Sequence, residues 1–392
     1  MKRYIGIFFL SLCAFCCFAS RVAASDMEVS LLTCSPGVRS YELYGHTALR
    51  FRSEAMRYDV VYNYGVFDYT RPGFSWHFIL GECDYMLMPI PFVAFQDEYE
   101  SRGSSVLAQR LNLTDTEVTR LHEMLRLNAQ PENMVYRYDF LRNNCTTQVR
   151  DIVERAMDGE VIYPEPSERE TYREMIHHYT ASSPWTDFGQ DLLLGCNCDT
   201  TLSIRAMMFL PEYLSQAYDG AVVRSDSRDT RPLVSERTVL LEGRPQHAEQ
   251  GFVLTPLQGS VVFFAVMLFI LALEGFFAMQ FWGVDVVVMT LHGLVGLLMC
   301  FLFLFSEHPT LDSNFQVMLF NPLPLVEMFF VIPAARKRKR TLWHGFNFAW
   351  LFFFILFIPW VPQEYASGVF VIALSLMMRP ISYFFAYRRY AQ

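Results

Sequence analysis

FLRNNCTTQVRD, from Phe140 to Asp151, decides how the first half of this chain is read. A strand-like stretch over 135–141 leads into it. Val149, Ile152, Val153, Ala156 and Met157 then recur at the spacing of one helical face, until Asp158-Gly159 ends the run. Asn143 or Asn144 is a ready N-cap, so Cys145 falls at or beside the first turn of a helix. The unpaired N–H groups and positive dipole end found there favour thiolate over thiol. Taken alone, such a cysteine is ordinarily a small buried turn residue. Taken with what precedes it, Cys145 reads as a nucleophile.

A thiolate nucleophile needs an imidazole. The candidates are His46, His77, His122, His177, His178 and His247. His122 lies on a helix that reads as exposed, and His247 lies in a polar stretch. His46 is the best placed. It sits in YGHTALRFR (Tyr44 to Arg52), where Thr47, Leu49 and Phe51 share one face and His46, Ala48, Arg50 and Arg52 the other. Gly45 before it permits close backbone approach. A turn near 53–57 leads to a second strand, YDVVYNYG (Tyr58 to Gly65). A hairpin centred near Ala55 sets His46 opposite 63–64, so that Asn63 would hold the imidazole in one tautomer. Tyr64 or Asp59 would serve in a shifted register. The competing reading of His46 is a core histidine satisfied within a sheet.

Outward from these two motifs, the 392 residues divide sharply. Residues 1–24 read as a secretory signal: Lys2 and Arg3, an apolar run to Phe18, then Val22-Ala23-Ala24 as a small-residue cleavage site. Residues 25–223 are mixed and polar, one exported α+β domain. Thr114-Asp115-Thr116-Glu117 is a capping box opening a helix in it. Residues 224–251 read as a linker. From 252 to 392 the chain becomes apolar, with segments at about 256–281, 284–306, 315–335, 342–362 and 365–386, each able to span ~30 Å of hydrocarbon. Asn321, Pro322 and Pro324 interrupt the third. The cluster Arg336-Lys337-Arg338-Lys339-Arg340 between spans three and four, and Arg388-Arg389 after span five, fall on the inner side when the first domain is outside. The loops at 306–314 and 361–365 then return outside. Glu274, Asp285, His292, Glu327 and His344 lie in or near spans, where ionisable groups pair up or line cavities. The net charge of −8, with no basic patch beyond the membrane-flanking cluster, argues against nucleic acid.

The exported domain keeps five cysteines, Cys34, Cys83, Cys145, Cys196 and Cys198. An oxidising compartment pairs four and leaves one. Cys196 and Cys198 are too close to bridge each other, so pairs to Cys34 and Cys83 would leave Cys145 free. A zinc site of Cys196, Cys198, His177 and His178 is the alternative, and its spacing fits no standard ligand pattern. No cofactor or metal is expected.

A strand histidine preceding a helix-start cysteine resembles the circularly permuted branch of the NlpC/P60 papain-like superfamily. More closely, the chain resembles the Lnb-type lipoprotein N-acyltransferases. The matching stretches are LLTCSPG (Leu31 to Gly37), YGHTALRF (Tyr44 to Phe51), VYNYGVFDY (Val61 to Tyr69), YRYDFLRNNCTTQVRD (Tyr136 to Asp151), DLLLG (Asp191 to Gly195), FLPEYL (Phe209 to Leu214) and EHPT (Glu307 to Thr310). The resemblance implies a papain-like periplasmic domain followed by a five-helix transmembrane domain in the inner membrane. It implies Cys145 as nucleophile and His46 as general base, with a phospholipid as acyl donor and a diacylglyceryl-modified lipoprotein as acceptor. The backbone N–H of Cys145, with Tyr44 as a second donor, would stabilise the oxyanion. A membrane-tethered cysteine hydrolase, a phospholipase or peptidoglycan peptidase, would use the same pair of residues.

Overall fold

The computed structural model describes residues 26–39, 41–67, 72–225, 229–244, 253–339 and 341–390. The expected signal segment, Arg340 and residues 245–250 lie outside them.

The first half is α+β. Ten strands form it: β1 (Glu28–Cys34), β2 (His46–Ser53), β3 (Tyr58–Val66), β4 (Asp84–Pro91), β5 (Val106–Leu111), β6 (Val135–Arg137), β7 (Glu160–Ile162), β8 (Val222–Arg224), β9 (Thr230–Pro232) and β10 (Val234–Leu241). Seven make one antiparallel sheet in the order β10-β5-β1-β2-β3-β4-β6, and β7-β8-β9 make a small second sheet. The helices of this half are α1 (Phe74–Leu80), α2 (Phe92–Arg102), α3 (Asp115–Asn128), α4 (Cys145–Ala156), α5 (Tyr172–Thr180), α6 (Pro184–Asp191), α7 (Ile204–Met207) and α8 (Pro211–Gly220).

Helices cover both faces of the large sheet. Leu31, Leu49, Phe51 and Tyr62 pack against Leu121 and Leu125 of α3 and Val149, Ile152 and Val153 of α4. Leu32, Ala48 and Val61 pack on the opposite face against Phe95 and Tyr99 of α2. A strand buried on both sides loses its polar alternation, which is why Leu31 and Leu32 are both fully buried. The Thr114–Glu117 capping box forms as the sequence predicts.

Two expectations are corrected. The predicted strand over 135–141 stops at Arg137, because the Asp139 carboxylate accepts the N–H of Leu141 (2.9 Å) and Arg142 (3.0 Å) and turns the chain into α4. The expected linker over 224–251 contains β9 and β10. Strand β10 pairs with β5 along the edge of the main sheet. An edge strand can be held mainly by backbone bonds, so Ser235, Glu236 and Arg237 stay exposed and read as linker. Leu233 is nevertheless fully buried, and Leu240 and Leu241 pack on the core.

The second half is helical: α9 (Pro256–Phe277), α10 (Trp282–Phe305), α11 (Leu323–Arg336), α12 (Leu342–Phe357) and α13 (Val369–Tyr390). Among the described residues, four stretches are long and apolar enough to cross a membrane, and Val369–Phe385 is a shorter apolar helix, consistent with five spans. The third is broken as predicted, a 3-10 turn (Phe315–Met318) preceding α11. Buried polar and charged side chains meet between the helices. The Arg379 guanidinium binds Glu274 (3.0 Å to each oxygen) and Asp285 (2.7 and 2.9 Å), and Glu327 accepts from Asn347.

The loops expected on the outer side, with the residues next to them, touch the α+β domain. Gly195 N–H donates to Thr310 O (2.7 Å), Glu307 N–H to Leu80 O (2.7 Å), and Glu364 N–H to the Asp199 carboxylate (3.0 Å). Asn314 donates to Leu192 O (2.7 Å), Gln316 to Asp191 O (2.6 Å) and Gln363 to Leu194 O (3.2 Å). Hydrogen bonds therefore seat the domain on the outer ends of the helices.

Candidate active site

Cys145 is the first residue of α4, and Asn144 is its N-cap. The Asn144 Oδ1 accepts from Thr146 N–H (2.8 Å) and Thr147 N–H (3.0 Å), while the Thr147 hydroxyl accepts from Asn144 N–H (2.9 Å). The Asn144 amide nitrogen donates to Phe140 O (2.7 Å) and Phe209 O (2.9 Å). Every polar group of this side chain is used, and the backbone carrying Cys145 is pinned from both sides.

His46 opens β2. Gly45 before it has φ +73°, and a Cβ there would lie 2.4 Å from Cys34 O, so only glycine fits. The β2–β3 register runs Leu49↔Tyr62 to Ser53↔Tyr58. The hairpin centre thus falls between residues 55 and 56, and the residue opposite His46 is Gly65, not 63–64. Asn63 is the diagonal neighbour on the same face. It closes the gap by side-chain reach, with His46 Nε2 2.6 Å from Asn63 Oδ1. Neither alternative partner is available. Asp59 is held bidentately by Arg50 (2.7 and 2.6 Å), and the Tyr64 hydroxyl accepts from Asn128 (3.0 Å).

With Nε2 engaged by Asn63, Nδ1 is the nitrogen left for Cys145. Burial raises the Cys145 pKa, but the charge and hydrogen bond of His46, the Thr47 backbone N–H and the Thr146 hydroxyl outweigh it, and the thiol lies below its ordinary value. Burial lowers the His46 pKa, and the Cys145 charge and the bonds to Cys145 and Asn63 outweigh that too, so the imidazole lies above its ordinary value. Both shifts run in the direction that favours thiolate and imidazolium over the neutral pair.

A cavity of about 690 Å³ opens over His46, Asn63 and Gly65, walled by Tyr99, Glu42 and Arg102. Gly65 has φ +91°, and a Cβ built on it would sit 3.5 Å from Cys145 Cβ and 3.6 Å from His46 Cε1. Its missing side chain leaves room directly over the pair. Tyr99 stacks parallel to the His46 ring (centroids 6.3 Å, 14°). Thr47 and Thr146 join β2 to α4 through their hydroxyls (3.2 Å). Sequence reading missed Thr47, Thr146 and Tyr99. The first two flank the chosen residues and follow from them, whereas Tyr99 arrives by the packing of α2, for which no local signal exists.

Tyr44 does not join the group. Its ring packs on Phe140 (4.7 Å) and Tyr179 (5.6 Å), and its hydroxyl donates to Gln190 (2.7 Å). The expected disulfides are also absent: the described cysteines are free thiols. Cys34 is buried in the core cluster of Phe95 and Val106. Cys198 is buried in a separate core cluster with Met175 and Leu194. The Cys–His zinc alternative does not form either, since His177 is bound by Asp191 (2.9 Å) and His178 by Glu170 (2.7 Å). His122, expected on an exposed face, packs against Phe51 and Tyr58.

Fold and site together define a multi-pass membrane protein whose α+β domain presents a buried cysteine–histidine pair on the outer side of its helices. Residues 14–178 match the family model described as the Lnb N-terminal periplasmic domain, and residues 247–390 match the one described as the Lnb transmembrane domain. The chain belongs to the Lnb family of lipoprotein N-acyltransferase-type proteins. No curated protein and no solved structure matches it.

Proposed function

We propose that this protein moves a fatty acyl chain from a membrane phospholipid to the α-amine of a diacylglyceryl-modified lipoprotein cysteine, through a thioester on Cys145. The Cys145 thiolate attacks the ester carbonyl. The oxyanion forms beside the Cys145 backbone N–H, at the positive end of α4. As the tetrahedral intermediate collapses, the C–O bond to glycerol breaks and the His46 imidazolium gives its proton to the leaving oxygen. Lysophospholipid departs, and His46 is left neutral beside acyl-Cys145. The lipoprotein amine then attacks the thioester, His46 takes the amine proton, the C–S bond breaks, and the amide product leaves thiolate and imidazolium restored. Asn63 keeps Nδ1 directed at the sulfur in both halves. The α-amine pKa of ~8 supplies a usable fraction of free amine near neutrality. Each half exchanges one acyl bond for another, ester to thioester and then thioester to amide, so neither metal nor nucleotide is required.

The observation that carries this reading is the Cys145–His46–Asn63 line, held in a domain seated on the outer ends of membrane helices, where both lipid substrates lie. The test incubates the detergent-solubilised protein, and Cys145→Ser beside it, with phospholipid and a diacylglyceryl-cysteine lipopeptide. Mass spectrometry is expected to find one added acyl mass on the lipopeptide amine, absent with the variant. Free fatty acid with unmodified lipopeptide would mean a phospholipase instead. Equal products from both proteins would remove Cys145 from the mechanism.

A further inference from the structure

A tetrahedral oxyanion is best held by two donors. The Cys145 backbone N–H provides one, and Tyr44, expected to provide the other, has given its hydrogen to Gln190. Of the other phenols around the site, Tyr99 bonds to Cys34, and Tyr64 is anchored through its oxygen, which accepts from Asn128. Tyr136 differs. It stands in β6 opposite Tyr85 of β4, with its ring edge-on to Tyr64 (6.0 Å). Its oxygen is sealed from solvent and makes no hydrogen bond of good geometry among the described residues. It faces the backbone N–H of Gly65, the residue whose bare α-carbon faces Cys145 and His46.

A buried hydroxyl with no acceptor is costly and uncommon. One beside a nucleophile is explained if its acceptor exists only during turnover. We infer that Tyr136 is a catalytic residue of this site, its hydroxyl donating to the oxyanion of the tetrahedral intermediates formed at Cys145. This rests on the reading of Cys145 as the acyl-carrying nucleophile. Burial, and then the neighbouring Cys145 charge, hold the phenol pKa above its usual range, so Tyr136 keeps its hydrogen throughout. In both steps it shifts no proton. It exchanges an unanswered O–H for one bonded to a developing negative charge, an interaction stronger in the transition state than in the ground state.

The experiment compares Tyr136→Phe with wild type and with Tyr85→Phe, its cross-strand neighbour, in the full-length solubilised protein. Phospholipid is the donor and the diacylglyceryl-cysteine lipopeptide the acceptor. Tyr136→Phe is expected to lower kcat roughly 100- to 1,000-fold with KM for phospholipid little changed. The pH profile of Cys145 alkylation and the melting temperature should stay level, or the melting temperature should rise because an unsatisfied polar atom is removed. Tyr85→Phe should stay within a few-fold of wild type. Wild-type turnover in Tyr136→Phe overturns the inference. So does a loss of turnover accompanied by a lower melting temperature or a shifted alkylation profile, which is the mark of a structural residue. Failure of the underlying reading looks different: Cys145→Ser would then retain transfer, whatever Tyr136→Phe does.

Discussion

Replacing Asn63 by Leu removes the acceptor from His46 Nε2 while keeping similar bulk, and the geometry sets how large the consequence is. The Nε2–Oδ1 bond is short, at 2.6 Å, and partly buried. A hydrogen bond to a charged group contributes about 1.5–3 kcal/mol. At about 1.4 kcal/mol per decade, the balance between thiolate–imidazolium and thiol–imidazole should move roughly 10- to 150-fold toward the neutral pair. The direction is fixed by the two shifts: His46 is raised partly by Asn63, and Cys145 is lowered chiefly by His46. Weakening the imidazolium therefore lets the Cys145 pKa climb back toward that of an ordinary thiol. In wild type, alkylation of Cys145 by iodoacetamide, followed on its own peptide by mass spectrometry, should persist below the pH at which an ordinary thiol ionises. In Asn63→Leu the acid side of that profile should retreat toward alkaline pH, with reactivity recovered where any thiol ionises. A variant profile that overlays wild type, or extends further into acid, would refute the ion-pair argument.

Arg379→Ala should leave Glu274 and Asp285 buried without a cation, at a cost of roughly 3–5 kcal/mol. Thermal unfolding in detergent should show a lower midpoint that the triple change Arg379→Ala/Glu274→Gln/Asp285→Asn largely restores. The His177 pKa is raised, first by its hydrogen bond to Asp191, against the opposing effect of burial. A raised histidine stabilises fully below its unfolded pKa of about 6.5 and loses that contribution as pH climbs through the higher folded value. Wild-type thermal stability should accordingly decline above about pH 6.5, and His177→Gln should flatten that decline. Since His177 is about one-third exposed, the effect will be modest. Gly45→Ala places a methyl 2.4 Å from Cys34 O. Displacing His46 by about an ångström should slow acyl transfer about 100-fold, and normal turnover would show that the β1–β2 turn yields without cost.

What was legible depended on how local its cause is. The cap at Asn144 and the helix after it follow from side chains within three residues, and Asn144, one of two candidates, is the residue that serves. The hairpin linking His46 to Asn63 came from counting along one turn. A four-residue turn over 54–57 displaced the register by about one position, and a diagonal contact made up the difference. Tyr44 failed because Gly45 lies in the left-handed region, so strand alternation begins only at His46 and says nothing of the side chain before the turn. Tyr99 and Tyr136 reach the site through α2 and β6, whose placement is set by packing between distant segments. The cysteine pairing assumed proximity, whereas Cys34 and Cys198 are buried in separate core clusters. The five spans were legible because a bilayer imposes length and composition on each helix separately.

The joint between domain and membrane was invisible in sequence because it consists largely of bonds to backbone atoms, and it yields a test that separates chemistry from placement. Asn314 is buried at its centre. It donates to Leu192 O (2.7 Å) and accepts from Gln316 N–H (3.0 Å) and the Gln363 side chain (3.1 Å). Gln316 and Gln363 go on to hold Asp191 O and Leu194 O. Asn314→Ala unfastens all three at once, leaving buried groups unsatisfied at about 1–3 kcal/mol each. None of these bonds touches Cys145, His46 or Asn63, so alkylation of Cys145 by a water-soluble reagent should keep its wild-type rate and pH profile. Transfer from phospholipid in a bilayer should fall, because the thiolate is no longer held at a fixed height above the lipid esters. A short-chain soluble ester should be consumed at the normal rate. If soluble and bilayer substrates lose activity equally, the joint only stabilises the domain. If neither does, the domain does not need fixed seating to reach its lipid.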